Sequence, residues 1–142
     1  MTRLEQWNRR VAVATACQDA FTGKPHVWGK RDCLRLARFC INGMGHKVKL
    51  AKIGGYKTER GALRALSRLG FKSMIEAMDQ QGFPRIAPAG AWPADIVALE
   101  AASPWDGALM VKLSGGELLG SVEGGVFGPL APLRPVAAWR ID

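Results

Sequence analysis

The chain has 142 residues, 48% of them hydrophobic, enough length and apolar content for one folded domain with its own core and too much for a disordered segment. Charge is uneven: residues 1–72 carry 16 Lys/Arg against 4 Asp/Glu, while residues 73–142 carry 4 against 8, giving the net +8. No apolar run reaches the ~20 residues that span a bilayer, and the polar start from Met1 to Arg10 argues against a secretory leader.

In chain order, Leu4, Trp7, Val11 and Ala14 recur at helical spacing and predict an amphipathic helix from about Thr2 to Ala20, ended by Gly23 and Pro25. The loop from Pro25 to Arg31 leads into a second helix, with Asp32 as N-cap, through Leu36, Ala37, Cys40 and Ile41 to the glycines of Asn42-Gly43-Met44-Gly45. Lys47 to Gly55 reads as basic and irregular. Thr58 opens a third helix carrying Leu63, Leu66 and Leu69 and closed by Gly70; Ser73 to Gln80 gives a short fourth, closed by Gly82. Phe83 to Pro93, with three prolines, reads as a linker or turn region.

From Ala94 the period changes. Asp95 to Leu99, Ala108 to Leu113, Glu117 to Val122 and Val136 to Ile141 read as strands, with a short continuation at Val126-Phe127. Gly115-Gly116 and Gly124-Gly125 mark the turns between them. Helices first and strands afterwards predict an α+β fold in a single domain, 1–142, with a helical half over about 1–82 and an antiparallel β-meander over about 94–142.

The three cysteines, Cys17, Cys33 and Cys40, do not suggest a disulfide framework, and the absence of CxxC or HxxH spacing argues against a zinc site. No Walker-type or dinucleotide fingerprint occurs, so no cofactor is expected. The basic half implies an anionic partner, or else a solvated surface. Its loop Lys47 to Lys52 lacks the interleaved aromatics that stack bases, which argues against nucleic acid. Cys33 stands at the predicted first turn of a helix, where unpaired N–H groups and the helix dipole favour a thiolate.

Pro25-His26-Val27-Trp28-Gly29, followed by Asp32-Cys33, resembles the nucleophile motif of the NlpC-type, papain-like cysteine peptidases that cut cell-wall peptides. That motif reads P-Y-x-W-G-G and then D-C-S-G at a helix start. Ala94-Asp95-Ile96-Val97 resembles the family's G-D-[LV]-V strand, which leads toward the catalytic histidine. Gly54-Gly55-Tyr56 and Trp139-Arg140-Ile141 are similar to segments of a divergent branch common in tailed-phage tail gene clusters. The resemblance implies a papain-like NlpC fold, with N-terminal helices packed on a small antiparallel sheet, and Cys33 as nucleophile. It implies Trp28 and Asp32 as residues lining or binding in the site.

The chain departs from that pattern where a base is needed. The family's strand begins with His, whereas here it reads Gly107-Ala108-Leu109-Met110-Val111-Lys112, and no histidine follows His46. Three readings of Cys33 compete. It is a nucleophile without its usual base, or His26 serves as a surrogate base from the loop, or Cys33 is a small core residue kept from an enzymatic ancestor. The last is preferred. The resemblance then implies a component of a phage or phage-derived tail tip, of the hub or baseplate type, in which the peptidase fold serves assembly. The chain would reside in the virion and meet other tail-tip or hub proteins through its basic half. The alternatives are an active cell-wall peptidase acting on peptidoglycan and, from the charge alone, a nucleic-acid-binding module.

Overall fold

The computed structural model of the chain describes residues 1–48, 53–100, 108–121, 125–131 and 134–142. Among the described residues four α-helices come first: α1 (Arg3–Phe21), α2 (Cys33–Gly43), α3 (Glu59–Arg68) and α4 (Met74–Asp79). Each begins after a side-chain oxygen. Thr2, Asp32, Thr58 and Ser73 accept the backbone N–H three residues on, which satisfies a donor that the first helical turn leaves unpaired. At α1 the Glu5 carboxylate also takes the Thr2 N–H, closing a capping box.

Six strands follow among the described residues: β1 (Arg85–Ile86), β2 (Ile96–Leu99), β3 (Ala108–Lys112), β4 (Leu118–Gly120), β5 (Gly128–Leu130) and β6 (Pro135–Trp139). They form one antiparallel sheet in the order β1-β6-β2-β3-β4-β5. The fold is α+β. A meander accounts for β2 to β5, but not for the whole sheet. β6 inserts between β1 and β2, and Phe83–Pro93, expected to be a linker or turn region, supplies a 3₁₀ turn at Pro88–Gly90 and also β1. The cause lies at Arg85, whose main chain pairs with Trp139 while its guanidinium bonds Asp79 (2.9 and 3.0 Å) and lies over the Trp139 ring. The expected continuation at Val126-Phe127 is also corrected: Val126 makes an isolated bridge to Pro25, and strand pairing resumes at Gly128. Val122, Gly124 and Gly107 lie outside the described residues.

Alternate strand residues divide between two cores, as the two-residue period requires. Ile96, Ala98, Leu109, Val111, Leu119 and Trp139 join the helices' Leu36, Ile41, Leu66 and Met78 in the larger core. Val97, Met110, Leu118 and Ala138 form the smaller one with Ala91 on the opposite face. Gly120 makes room there for Met110, because a Cβ at position 120 would sit 1.6 Å from the Met110 sulfur.

α1 departs from its predicted face. Leu4 and Trp7 are exposed, and the buried stripe is Arg10, Ala14, Cys17 and Phe21. Arg10 turns inward because Asp95, with no exposure to solvent, waits for it. The Asp95 Oδ1 accepts Arg10 Nη1 and the Ile141 N–H (both 2.9 Å). Its Oδ2 accepts the Trp92 N–H (2.9 Å) and Arg140 Nε (2.8 Å). Arg10 also donates from Nη2 to the Ile141 carbonyl (2.6 Å) and to Asp142 (3.0 Å). The turn before β2 is closed by Asp95 N–H to the Trp92 carbonyl (2.9 Å), with Pro93 second and Ala94 third at φ 73, the pattern of a type II turn.

Asp95→Ala would strip the buried guanidinium of Arg10 and two backbone N–H groups of their acceptor. A loss of about 3–5 kcal/mol is expected, the scale for breaking a buried pair from one side. Urea unfolding measures it, with Glu100→Ala as the comparison, because the Glu100–Arg134 pair is exposed and its loss should leave the midpoint in place. Equal effects of the two substitutions would refute the role given to Asp95.

Burial pushes the Cys17 thiol up to about 12, and the Cys40 thiol well above its usual range. Both stay protonated in the fold, while the unfolded chain ionises them near about pH 8.5. The contribution of Cys17 is therefore intact below about pH 8.5 and is lost as pH rises toward about 12, by up to about 1.4 kcal/mol per pH unit, and Cys40 acts in the same direction. Unfolding midpoints measured across that window should fall less steeply for Cys17→Ala than for the unsubstituted chain.

Candidate functional site

The site forms where a tight loop runs into α2. Val27 and Arg31 exchange backbone hydrogen bonds (2.9 and 2.8 Å), so Trp28, Gly29 and Lys30 are held in a narrow turn. Gly29 has φ +80, and a Cβ there would come within 2.0 Å of the Tyr56 carbonyl oxygen, so this position requires glycine twice over. The stem is pinned from the other side by the His26 N–H to the Gly125 carbonyl (2.9 Å) and by the Pro25–Val126 bridge.

Asp32 organises this junction from a buried position. Its Oδ1 caps α2 by accepting the Arg35 N–H (3.1 Å). Its Oδ2 accepts the Gly29 N–H (2.9 Å) and the Tyr56 hydroxyl (2.6 Å), with Arg35 Nη1 at 3.4 Å. Arg35 donates in turn to the Tyr56 hydroxyl oxygen (2.6 Å) and to the Ile53 carbonyl, and its guanidinium lies over the Tyr56 ring. Tyr56 is consequently held as a phenol. Burial first, then the hydrogen bond and charge of Asp32, push its pKa above the usual tyrosine range, with Arg35 opposing.

Cys33 is the first residue of α2, half-buried against the larger core and close enough to Tyr56 to act on it electrostatically. The His26 ring meets Trp28 edge-on (4.7 Å between centroids) and stacks on Phe127 (6.1 Å, 20°). Trp28 is half-buried and packs on the larger core. The loop and helix start thus gather all four residues singled out by sequence, Cys33, His26, Trp28 and Asp32. The strand packed on α2 is β3, and its residues in the helix-side core are Leu109 and Val111, both with no exposed surface. Ala108 and Met110 belong to the opposite face.

Two participants were not chosen as site residues from sequence. Tyr56 had a signal, as the sole tyrosine of the chain and the end of Gly54-Gly55-Tyr56. Arg35 had a weaker one, its place two residues after Cys33. Among the described residues no group of three or more His, Cys, Asp or Glu side chains is placed to hold a metal ion. The loop Lys47 to Lys52 is described only to Val48. Chemically, the arrangement offers a thiol at a helix start beside a phenol whose proton is committed to a carboxylate.

A family model described as "Domain of unknown function (DUF6950)" matches residues 2–141, and the chain belongs to that family. No curated protein and no solved structure matches it.

Tyr56→Phe keeps the ring and removes a donor to a buried carboxylate, so a stability loss of about 1.5–3 kcal/mol is expected from denaturant unfolding. Gly29→Ala should cost more, since both the backbone conformation and the Tyr56 carbonyl oppose the added methyl. A neutral Gly29→Ala would show that the loop does not close on Tyr56.

Proposed function

We propose that this DUF6950 protein is a component of a phage or phage-derived tail tip, of the hub or baseplate type, built on a divergent papain-like NlpC fold that works by assembly and interaction. The observation that carries the reading is the pairing of α2, which begins at Cys33, with β3, whose helix-side residues are Leu109 and Val111. A cysteine peptidase needs a proton acceptor beside its thiol and a donor for the leaving amine; losing such help typically costs about 10²–10⁴-fold in rate. Leu109 and Val111 supply neither.

The turn at Ala94 supports the fold part of the proposal. Its φ of 73 is the conformation that glycine prefers, and the motif it resembles, G-D-[LV]-V, has glycine at that position. The buried Asp95 stands where the motif has its aspartate. In this reading Cys33 is a packing residue of the larger core, and the partners are other tail-tip or hub proteins of the virion.

Peptidoglycan incubated with the protein and with Cys33→Ala, followed by mass spectrometry of soluble peptides, tests the proposal. The expected result is no Cys33-dependent release. Release that disappears in Cys33→Ala would instead make the chain a working cell-wall peptidase, with His26 the first residue to replace in search of its base.

A further inference from the structure

A valley runs between α1 and α2, distinct from the Cys33 junction though it begins beside it. Small residues make it: Ala12 and Ala16 on α1 leave space under the side chains of α2, and Gly43 lets the helices close up, since a Cβ there would meet Val13 at 2.9 Å. The result is an open groove of about 700 Å³ with an apolar floor. Four cations line it, Arg9 on α1, Lys30 in the loop, and Arg35 and Arg38 on α2, and among the described residues lining it there is no carboxylate. Phe39, 37% exposed, projects into it and is braced edge-to-face by Phe21 (5.8 Å, 86°).

We infer that this groove docks an acidic segment of a partner protein, with Asp or Glu side chains meeting Arg9 and Lys30 and an apolar side chain seated beside Phe39. Charge complementarity sets the sign of the partner. The floor sets its class: aliphatic carbon from Ala12, Val13 and Ala16 buries a leucine- or phenylalanine-sized anchor, as the centre of a protein interface does. A single nucleic-acid strand takes a succession of open ring faces instead, and here the two rings spend their contact on each other. Arg35 contributes charge but little reach, because Asp32, Tyr56 and the Ile53 carbonyl already hold its guanidinium. The inference deepens the assembly reading and rests on it for the partner being a protein.

A short fluorescein-labelled peptide of repeated Glu-Glu-Leu-Phe, followed by anisotropy at near-physiological salt, serves as the probe. It should bind the full chain, and the Gln-Gln-Leu-Phe version should bind at least about tenfold more weakly. The double variant Arg9→Glu, Lys30→Glu, at two exposed positions, should weaken binding by a similar factor. Arg60→Glu with Arg64→Glu, exposed on α3 outside the groove, should leave it unchanged, with thermal unfolding confirming that both variants are folded. Equal loss in the two double variants would mean a diffuse response to net charge and would overturn the inference, as would tight binding of the glutamine peptide or no binding at all. Displacement of the peptide by oligodeoxythymidylate, with a steep salt dependence, would reassign the groove to nucleic acid. The peptidoglycan assay reads Cys33 and the peptide assay reads Arg9 and Lys30, so the failure of one proposal is distinguishable from the failure of the other.

Discussion

A carboxylate removed from water is tolerable only when protein donors replace the water, and at Asp95 four of them do so. The four come from three separate parts of the chain: Arg10 from α1, Trp92 from the turn before β2, and Arg140 and Ile141 from the segment after β6. The acid therefore fixes the distance between the first helix and the central strands. It also ties down one wall of the α1–α2 valley, since α1 cannot roll on the sheet without pulling a guanidinium away from its buried partner. Trp92 closes the arrangement from outside, lying under Arg140 at 3.5 Å and Arg10 at 5.4 Å and touching Trp7 edge-on.

Asp32 repeats the device on a smaller scale. It too sits at the entrance to an element, caps it, and gathers side chains from elsewhere. The outcome at the Cys33 junction is rigidity: loop, helix start and the Tyr56 segment are tied to one carboxylate. Such rigidity suits a catalytic site, and equally a loop that presents a fixed surface to a neighbour. In the proposed assembly role the second use applies, with the apolar Leu109 and Val111 of β3 facing the helix side.

How far the sequence revealed this depends on whether the signal is local. Helix starts were legible because Thr2, Asp32, Thr58 and Ser73 each precede a periodic run, and the W-G-x-x-D-C spacing alone points to Trp28, Asp32 and Cys33. The buried face of α1 was not legible. Arg10 reads as a surface residue until Asp95, 85 positions away, is brought beside it. Tyr56 and Asp32 meet across 24 positions for the same reason. β1 was hidden by the flanking Pro84 and Pro88 and by its length of two residues, its place held by the Asp79–Arg85–Trp139 contacts rather than by strand propensity.

The position of β6 has a consequence for how the chain comes together. β1 and β2 leave the ribosome first, but they are not neighbours; the strand that joins them is made later. Until β6 arrives, both present unpaired backbone edges, Asp95 lacks Arg140 and Ile141, and Arg10 lacks its carbonyl at Ile141. Assembly is thus non-local and late, a topology that slows folding and lengthens the exposure of sticky edges. β6, bonded to both β1 and β2, is the keystone of the sheet, which cannot be completed before residues 135–139 are made.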